Sequence, residues 1–600
     1  MTSLRVLRDE LDALERAVVA AGAAHDPLLT QVDPQYRDSA RNFVDYVGLR
    51  QHDLRPLQRE LWAHGLSSLG RLEGHVRDAI GQVRARLDDA LAHEGAAVSD
   101  GDGDGDGLTW VEAQARLHAN TQALLGPQPP DRHVYVMVTA PSAAEVDAAW
   151  VERLLAAGMN VLRINAAHED EAAWRHIATL ARAVAAALRV PLRIAVDLPG
   201  PKLRTVMLTE GVRVVRWKPA RDELGRIAAP CEITVRPGPI ASVAGRTLFV
   251  PSAWWARIQP GVTLEFRDAR GKRRALRVTR RDGVEAIAEL RETAYVVPQT
   301  RVTVRRRRER LARFTIVRVP PRPARLALAL DDELALVAVG TPPPPGLPAI
   351  GCEVPAALAR LEVGQRVLFD DGHLETLVVG LGPGFARLRV THAPIGGLRL
   401  GGEKGINLPD TELDLPLLAE DDERALAFAA QHADLVDASF VRDPDDVRAL
   451  YARLAALGAD RLGVVLKIET TGAFACLPAI ILAALERAPV GVMIARGDLA
   501  IESGYQRLAE LQEEILWLCE AAHVPVIWAT QVLDQLARTG RPSRAEVTDA
   551  AMAVRAECVM LNKGPYVAEA VAALDDILRR MEQHQYKKRS LYRRLHLALP

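Results

Sequence analysis

The stretch GVVLKIE at residues 463–469, followed by VGVMIARGD at residues 490–498, decides the fold. Each segment is an apolar run of strand length that ends in charged residues, and the residues between the two runs suit a helix. A lysine and two carboxylates just beyond buried strands are groups that can hold a divalent metal beside a phosphoryl group. The stretch therefore predicts strand, helix and strand, with chemistry at the strand ends.

The same alternation of a β-rich run and a helical stretch begins near residue 133. The predicted strands are 134–138, 160–164, 192–196, 435–438, 463–468, 490–494, 524–528 and 558–561. Eight βα units of about 30 residues predict an α/β fold, a (β/α)8 TIM barrel, whose chemistry lies at the C-terminal ends of its strands. Polar residues stand at or just beyond these ends: Arg163, Asn165, Asp197, Ser439, Lys467, Glu469, Arg496, Asp498, Thr530 and Asn562.

A long interruption between the third and fourth strands has alternating Val, Leu and Arg and many prolines, which predicts an inserted all-β domain. Within it, ARIQPG (256–261) leading to FRD (266–268) resembles ARLEVG (359–364) leading to FDD (369–371), which suggests an internal duplication. The first hundred residues show apolar spacings of three and four and are expected to be helical.

An Asp/Gly alternation follows at residues 99–107 and invites a calcium-loop interpretation, but Ala113 stands where the bidentate Glu should be, so a flexible acidic linker is favoured. The expected regions are a helical region (1–98), an acidic linker and lead-in (99–132), the first barrel part (133–206), the inserted β domain (207–400), the second barrel part (401–582) and a C-terminal tail (583–600).

Composition favours small-molecule chemistry. The chain has 76 Lys and Arg against 77 Asp and Glu, so it shows no global bias toward nucleic acid or an anionic membrane. Its five cysteines are scattered without a CxxC pair, and no apolar run reaches the length of a bilayer span. We expect a cytoplasmic protein with no nucleic-acid or membrane partner. The basic run 305–308 is either an anion patch or a solvated strand edge that discourages aggregation, and the second interpretation is favoured.

Several separate motifs, in this order and with a β insertion after the third strand, resemble pyruvate kinase from about Val134 to Leu578. The motifs are AGMNVLRIN (157–165), DLPGPKLRT (197–205), DDG (370–372), KGINLP (404–409), ASFVR (438–442), KIE (467–469), ARGDL (495–499), ATQVLD (529–534) and RPSRAE (541–546). The resemblance implies Mg-dependent phosphoryl transfer from phosphoenolpyruvate to ADP, giving pyruvate and ATP in the last step of glycolysis. It also implies that the inserted domain is a lid.

The resemblance assigns roles residue by residue. Lys467 stabilises charge on the transferred phosphoryl group, Thr530 orients the substrate and the proton donor, and Arg163 grips phosphate. Glu469 and Asp498 hold Mg2+ (or Mn2+) through hard oxygen ligands. The remaining substrate and nucleotide contacts are Asn165, His168, Arg204, Asp371, Lys404 and the backbone of Arg496 and Gly497. For each residue alone, an ordinary ion pair, helix cap or solvated side chain is the competing interpretation.

Two features of the sequence bear on whether activity requires K+. Asn165 and Asp197 match potassium ligands of the family, but Ala167 stands at the serine position of that ligand set. Lys202 stands where potassium-dependent relatives have Glu, and an ammonium group is a direct electrostatic substitute for bound K+. We therefore expect that K+ is not required.

Other positions depart from the family pattern. Asn562-Lys563-Gly564-Pro565 replaces Ser-Gly-Glu-Thr after the eighth strand, and the family's C-terminal regulatory domain is expected to be absent. The helical N-terminal region and enlarged insertion resemble an atypical branch of the family. Two alternatives stay open: a drifted paralogue that uses another nucleotide or acceptor, and a non-catalytic regulatory protein that binds phosphoenolpyruvate. Barrel rims often form subunit contacts, so a homo-oligomer is also compatible with the predicted fold.

Overall fold

The structure is a computed structural model that describes residues 3–67, 69–93, 108, 110–413 and 415–584. The Asp/Gly alternation and most of the predicted C-terminal tail lie outside the described residues. The chain divides into two compact units, Met1–Lys202 with Asn407–Pro600, and Leu203–Ile406. The second unit begins earlier than the predicted insertion at 207, because the strand Leu203–Val206 pairs with Gly405–Asn407 and with Ala349–Cys352.

The first unit contains a closed barrel of eight parallel strands in sequential order, which confirms the predicted (β/α)8 fold. Strands β1 to β8 are Tyr135–Thr139, Val161–Asn165, Arg193–Asp197, Leu435–Ala438, Gly463–Ile468, Val490–Ala495, Val526–Ala529 and Cys558–Leu561. Each observed boundary lies within two residues of its prediction. The largest difference is at β7, which begins at Val526 and not at Val524, since Pro525 has no N–H to donate to a neighbouring strand.

The helices of the barrel lie outside the strands. They are Ala148–Ala157, Glu171–Leu188, Glu420–His432, Pro444–Ala456, Thr471–Ala475, Leu477–Ala484, Arg496–Ser503, Tyr505–Ala521, Asp534–Thr539, Arg544–Met552 and Val567–His584, with 3-10 turns at Ala143–Glu145 and Ala553–Arg555. Side-chain oxygens of Asp147, Asp170, Asp443 and Ser543 accept hydrogen bonds from N–H groups of the first turns that follow them. These caps fix where the chain turns from a loop into a helix.

The N-terminal region is helical, and it packs against the barrel. Its helices are Leu4–Ala24, Asp26–Leu29, Arg37–Leu49, Arg55–Ala63, Val76–His93 and Trp110–Leu125, with a 3-10 turn at Pro34–Tyr36. The amides of Asn42 and Asn120 each donate a hydrogen bond of 2.8 Å, to the carbonyls of Ala521 and His523 on the barrel. Among the helices of the described residues, none is both long and apolar enough to cross a bilayer.

The helix Trp110–Leu125 lies within residues 99–132, which were predicted as an acidic linker and lead-in. Ala113, Leu117 and Leu124 are buried at helical spacing, so this segment has an apolar face to bury. Leu124 packs on the barrel strands at Gly463 and Gly491, where an added Cβ would lie 2.8 and 2.6 Å from its methyl groups. The helix thus covers the barrel interior at the ends of the strands where Gly463 and Gly491 lie.

The second unit is built almost entirely of strands, which confirms a sheet domain inserted after β3. One part is an eight-stranded sheet in the spatial order Glu309–Thr315, Arg301–Arg306, Thr263–Arg267, Arg273–Asp282, Glu285–Leu290, Cys231–Gly238, Thr247–Pro251 and Ser242–Ala244. The other is a closed seven-stranded barrel of Glu333–Ala338, Ala349–Cys352, Leu203–Val206, Gly405–Asn407, Arg366–Phe369, Leu374–Gly382 and Phe385–His392. Short paired strands are Val215–Trp217 with Ala294–Val296, Ala220–Arg221 with Ile227–Ala229, and Leu326–Leu328 with Leu398–Leu400.

Both parts of this unit contain the same succession of elements. Two parallel strands are followed by a four-residue helix, Ser252–Trp255 or Pro355–Leu358, and then by three antiparallel strands, the last of which pairs with the first of the set. The middle antiparallel strand has a register shift at Val278/Arg280 in one copy and at Val378/Gly380 in the other. The two segments that resemble each other in sequence occupy equivalent places in this succession.

Candidate active site

Lys467 lies at the centre of a charged cluster at the carboxyl end of β5. Its Nζ donates a hydrogen bond of 2.6 Å to the Ser439 hydroxyl and lies 3.1 Å from Asp197 Oδ1 and 3.2 Å from Glu469 Oε1. Burial disfavours the ammonium form, but the carboxylates of Asp197 and Glu469 outweigh burial and raise the pKa of Lys467 above its ordinary value. The lysine is therefore a permanent buried cation and not a proton acceptor.

Arg163 and Asp197 form the second part of this cluster, on adjacent strands β2 and β3. The guanidinium of Arg163 lies 2.5 Å from Asp197 Oδ2 and donates a hydrogen bond of 2.8 Å to the Thr139 hydroxyl on β1. Burial opposes ionisation of Asp197, but Arg163 and then Lys467 outweigh it and hold the pKa of Asp197 below its ordinary value. The ends of β2, β3 and β5 thus place two cations around one carboxylate.

Asp437 on β4 is a fully buried carboxyl group beside this cluster. Neither of its oxygens has a hydrogen-bond partner within the described protein, and Oδ2 lies 3.8 Å from the Nε of Arg163. Burial, together with the negative charge of Asp197, raises the pKa of Asp437 to about 7. Asp437 is not among the residues predicted from the sequence, although an isolated Asp inside the apolar run LVDA was a signal for it.

Glu469 and Asp498 are the two expected metal ligands. Glu469 is buried and accepts a hydrogen bond from the backbone N–H of Phe440, while Asp498 belongs to the first turn of the helix Arg496–Ser503. Burial raises the pKa of Glu469, and the negative charge of Asp498 raises it further against the opposing effect of Lys467. A divalent cation at this pair of carboxylates would neutralise their negative charge.

In the part of the chain that the structure describes, no group of three or more His, Cys, Asp or Glu side chains is arranged to hold a metal by itself. Mg2+ commonly takes only one or two protein carboxylates and completes its shell with water and substrate oxygens. The pair Glu469 and Asp498 fits that kind of site.

The ammonium group of Lys202 binds the carboxylate of Asp498. Its Nζ is 2.9 Å from Oδ1 and 3.2 Å from Oδ2, and the side-chain amide of Asn407 is 3.5 Å from Oδ1. Lys202 follows a tight loop in which Gly200 has a φ of +69°, and a Cβ there would lie 2.6 Å from that of Ser439. The loop therefore passes directly over the Ser439 strand end and brings the lysine to the metal-site carboxylate.

Arg496, Gly497 and Thr530 meet at the ends of β6 and β7. Arg496 donates hydrogen bonds to the carbonyl of Ala529, at 2.7 Å, and to that of Thr530, and its guanidinium also binds Asp549 at 2.8 Å. Ala495 precedes the helix Arg496–Ser503 and has no side chain that could cap it. The first N–H groups of that helix, including the one at Gly497, therefore have no side-chain cap and are suited to an anion.

Thr530 is held in a strained conformation. It has a φ of +63°, and the neighbouring Gln531 has a φ of +57°, in a region that residues with a Cβ seldom adopt. Its hydroxyl is buried and has no hydrogen-bond partner within the described protein. Strained backbone and an unsatisfied buried hydroxyl are common at sites that bind a substrate.

Two other predicted residues of this unit lie outside the buried cluster. Asn165, at the end of β2, is half-buried, and its side-chain oxygen accepts a hydrogen bond from the N–H of Ala167. His168 is exposed, and its carbonyl accepts a hydrogen bond from the indole of Trp174. The structure therefore brings together Arg163, Asp197, Lys467 and Glu469, and it places Asp498, which binds Lys202, near enough for its charge to act on Glu469.

Arg204, Asp371 and Lys404 belong to the second unit. Arg204 pairs in register with Gly405, the residue after Lys404, and the N–H of Lys404 donates to the Thr205 hydroxyl at 2.9 Å. The ammonium group of Lys404 binds Asp370 at 2.8 Å, while Asp371 follows in a turn where both aspartates have positive φ. The structure thus adds Asp370 to the predicted pair as the ion-pair partner of Lys404.

Comparison with known proteins identifies the barrel. Residues 348–571 match the family model described as pyruvate kinase, barrel domain. Over these residues, the barrel is similar to the barrel of pyruvate kinases. The match covers β4 to β8 and therefore includes Lys467, Glu469, Asp498 and Thr530.

Individual pyruvate kinases match this chain over part of their length. The chain is 38% identical over 245 residues to pyruvate kinase PKLR of Rattus norvegicus, which is 40% of this chain and 41% of that protein. It is 33% identical over 226 residues to pyruvate kinase of Clostridium acetobutylicum, 36% of this chain and 46% of that protein. Pyruvate kinase 2 of a Synechocystis strain is 37% identical over 227 residues, 37% of either chain. The chain thus spans less than half the length of these relatives.

Proposed function

We propose that this protein transfers the phosphoryl group of phosphoenolpyruvate to ADP and releases pyruvate and ATP. The observation that carries the proposal is the buried ammonium of Lys467, held between Asp197 and Glu469 at the strand ends of a pyruvate kinase barrel. Phosphoryl transfer depends on positioning and on neutralising charge more than on covalent help from the protein. A lysine kept permanently charged in a water-poor site suits that task.

In the proposed reaction, the bond from phosphorus to the enol oxygen breaks and a bond to a terminal oxygen of the ADP β-phosphate forms. Lys467 and Arg163 offset the charge on the transferred phosphoryl group, and Arg163 can do so because Thr139 and Asp197 fix its guanidinium plane. The enolate then takes up a proton at its methylene carbon and becomes pyruvate. The unsatisfied hydroxyl of Thr530 supports a role in orienting the enolate and the proton donor.

The substrate carboxylate is proposed to bind at the backbone of Arg496 and Gly497, where the helix begins without a cap. Glu469 and Asp498 would hold Mg2+ (or Mn2+), which supplies positive charge to the oxygens of the reacting groups. On the nucleotide side, the resemblance assigns Asn165, His168, Arg204, Asp371 and Lys404, and these assignments remain part of the proposal.

Independence from potassium is part of the same proposal. The Lys202 ammonium already binds a carboxylate of the candidate site, so this chain supplies on a side chain the kind of charge that a monovalent cation would bring. Adding KCl to a potassium-free assay at matched ionic strength is expected to leave the rate unchanged within about twofold. A rise of tenfold or more would contradict this part. A cytoplasmic location is likewise proposed, and the five cysteines, all free, are compatible with a reducing compartment.

The proposal is tested by coupling pyruvate formation to NADH oxidation through lactate dehydrogenase, with purified protein, Mg2+, phosphoenolpyruvate and ADP. Lys467→Met is expected to lower kcat by at least about a thousandfold, since a charged group of the transition state is lost. Lys563→Met, which removes an amine from the loop after β8, serves as the matched control. Absence of pyruvate with any nucleoside diphosphate would refute the proposal, and pyruvate formation with GDP but not ADP would favour a drifted paralogue.

A further inference from the structure

The near-zero net charge of the whole chain, which by itself favours no nucleic-acid partner, hides a strong difference in charge between the second unit and the rest of the chain. The second unit, Leu203–Ile406, has 34 Lys and Arg against 20 Asp and Glu, whereas the rest of the chain has 42 against 57. Residues 301–313 alone contain seven arginines and one glutamate. A domain with such a surplus within a neutral chain is expected to have an anionic partner.

Seven arginines of the second unit lie on one face of the eight-stranded sheet. We call the arginine face the outward side chains of four adjacent strands: Arg267, Arg273, Arg277, Arg301, Arg305, Arg310 and Arg313. Strand register places Arg267 opposite Arg273, Arg305 opposite Arg310, and Arg313 opposite Thr303. The alternate residues of the same strands, such as Phe266 and Val304, are buried in the core. Because side chains alternate between the two faces of a sheet, the arginines lie together on a single solvent-facing surface.

Few acidic groups neutralise this face. Arg305 lies 3.1 Å from Glu265, and Arg267 donates a hydrogen bond to the carbonyl of Gly271. The other five arginines make no ion pair with any residue that the structure describes. Like charges that lie directly opposite on neighbouring strands destabilise a sheet by several tenths of a kcal/mol, about 0.2 to 1 per pair. Glu265 compensates part of that cost at Arg305, and Glu289 lies opposite Arg277, but the facing pair Arg267 and Arg273 makes no ion pair within the described residues.

A solvated strand edge, the interpretation favoured from the sequence, does not account for this arrangement. The edge strand is Glu309–Thr315, and charges that discourage edge pairing are needed only there. The arginines continue inward through Arg301–Arg306 and Thr263–Arg267 to Arg273–Asp282, the fourth strand from the edge. Four strands of a sheet span about 15 Å between the outer two, so the charge covers a broad flat surface.

We infer that the arginine face binds double-stranded nucleic acid through its backbone phosphates, without reading base sequence. A duplex presents one negative charge about every 1.7 Å along its axis, and planar guanidinium groups bind phosphate bidentately. The two aromatic residues of these strands, Phe266 and Phe314, face the core, so the stacking platform that single strands require is absent from the face. The other outward positions, Thr263, Glu265, Ala275 and Thr303, offer no large apolar group for insertion into a membrane.

The test uses the full-length protein and fluorescence anisotropy with a labelled 20-base-pair duplex, as RNA and as DNA, in 50 and 200 mM KCl. Wild type is expected to bind with a micromolar Kd at the lower salt and at least tenfold more weakly at the higher salt. The triple variant Arg301→Ala/Arg310→Ala/Arg313→Ala is expected to bind at least tenfold more weakly. The slope of log Kd against log salt concentration should also fall by up to about three for this variant, since each phosphate contact contributes about 0.9 to that slope.

A matched control removes the same charge elsewhere in the same unit, through Arg387→Ala/Arg389→Ala/Arg399→Ala, and is expected to change Kd by less than twofold. No duplex binding at 100 µM protein, or an equal loss in both triple variants, would overturn the inference. Equal affinity for single strands would also overturn it. If no duplex is bound, binding to phosphatidylserine vesicles would also overturn the inference. The same holds for self-association, seen by light scattering, that the first triple variant abolishes. Pyruvate formation by the first triple variant reports separately on the proposed function and should equal that of wild type.

Discussion

Replacing Asp437 with asparagine should change how the stability of the barrel depends on pH. In the folded protein, burial and the charge of Asp197 raise the pKa of this carboxyl from 3.8 to about 7. Between those two values the unfolded chain has lost the proton and the folded chain retains it, so the free energy of unfolding falls as pH rises. The contribution is fully present below pH 3.8 and is lost as pH passes 7. The side-chain amide of the variant carries no charge and removes this dependence.

The size of the effect follows from the two pKa values. A difference of this size corresponds to about 4 kcal/mol over the whole range, and to about 3 kcal/mol between pH 5 and pH 8. Asp197 does not obscure it, because its pKa is lowered and its stabilising contribution is lost only as pH falls below about 4. The difference in unfolding free energy between Asp437→Asn and wild type should therefore shift by about 3 kcal/mol in favour of the variant from pH 5 to pH 8.

The assay is urea denaturation followed by tryptophan fluorescence, repeated at pH 5, 6, 7 and 8. Trp528, buried on β7, lies within the barrel and reports on its unfolding. Asp89→Asn removes an exposed carboxylate from the N-terminal helical region and is the control. Its stability should run parallel to that of wild type at all four pH values. Parallel curves for Asp437→Asn and wild type would refute the argument that the buried carboxyl holds its proton at neutral pH.

Three further predictions concern other contacts. Leu124→Ala opens a cavity against Gly463 and Gly491 and should lower the free energy of unfolding, measured in urea, by about 3 kcal/mol. The control Leu188→Ala, at an exposed site, should lower it by less than about 0.5 kcal/mol, and equal losses in the two variants would contradict the prediction. Lys202→Met should tighten Mn2+ binding about fivefold, measured by electron paramagnetic resonance without substrate, because the ammonium competes for Asp498; weaker binding would contradict this. Asp549→Asn weakens the ion pair that holds Arg496 against the carbonyl of Thr530 and should lower kcat/KM for phosphoenolpyruvate at least tenfold. An unchanged value would contradict a role of Asp549 in positioning the site.

The barrel was predictable because its strands are short apolar runs that recur with helical segments between them. In a parallel sheet buried on both faces, a strand needs a continuous apolar run, and such runs are visible in a single sequence. Charged residues at the ends of those runs predicted Arg163, Lys467 and Glu469 as neighbours, and the structure places them around Asp197. The helix Trp110–Leu125 was missed because its role is to pack Leu124 on Gly463 and Gly491, which depends on tertiary contacts.

Pairings between loops could not be predicted in the same way. Lys202 was expected to replace potassium near Asn165 and Asp197, but its position on Asp498 depends on the turn at Gly200 and on the start of the helix at Arg496. The ion pair between Lys404 and Asp370 was not predicted, because two successive left-handed residues, Asp370 and Asp371, set the direction of each side chain. The arginine face was hidden for a different reason, since it emerges only when four strands are placed in register.

The cluster around Lys467 is proposed to transfer the phosphoryl group of phosphoenolpyruvate to ADP. Phosphorus-31 NMR follows this transfer directly, because the phosphoenolpyruvate resonance and the γ-phosphate resonance of ATP are both observed in one sample without coupling enzymes. With wild-type protein, Mg2+ and ADP, the first resonance should disappear and the second should grow in equal amount, and with Lys467→Met both should stay constant over the same time. Loss of phosphoenolpyruvate to inorganic phosphate, or equal ATP formation by the variant, would contradict the account.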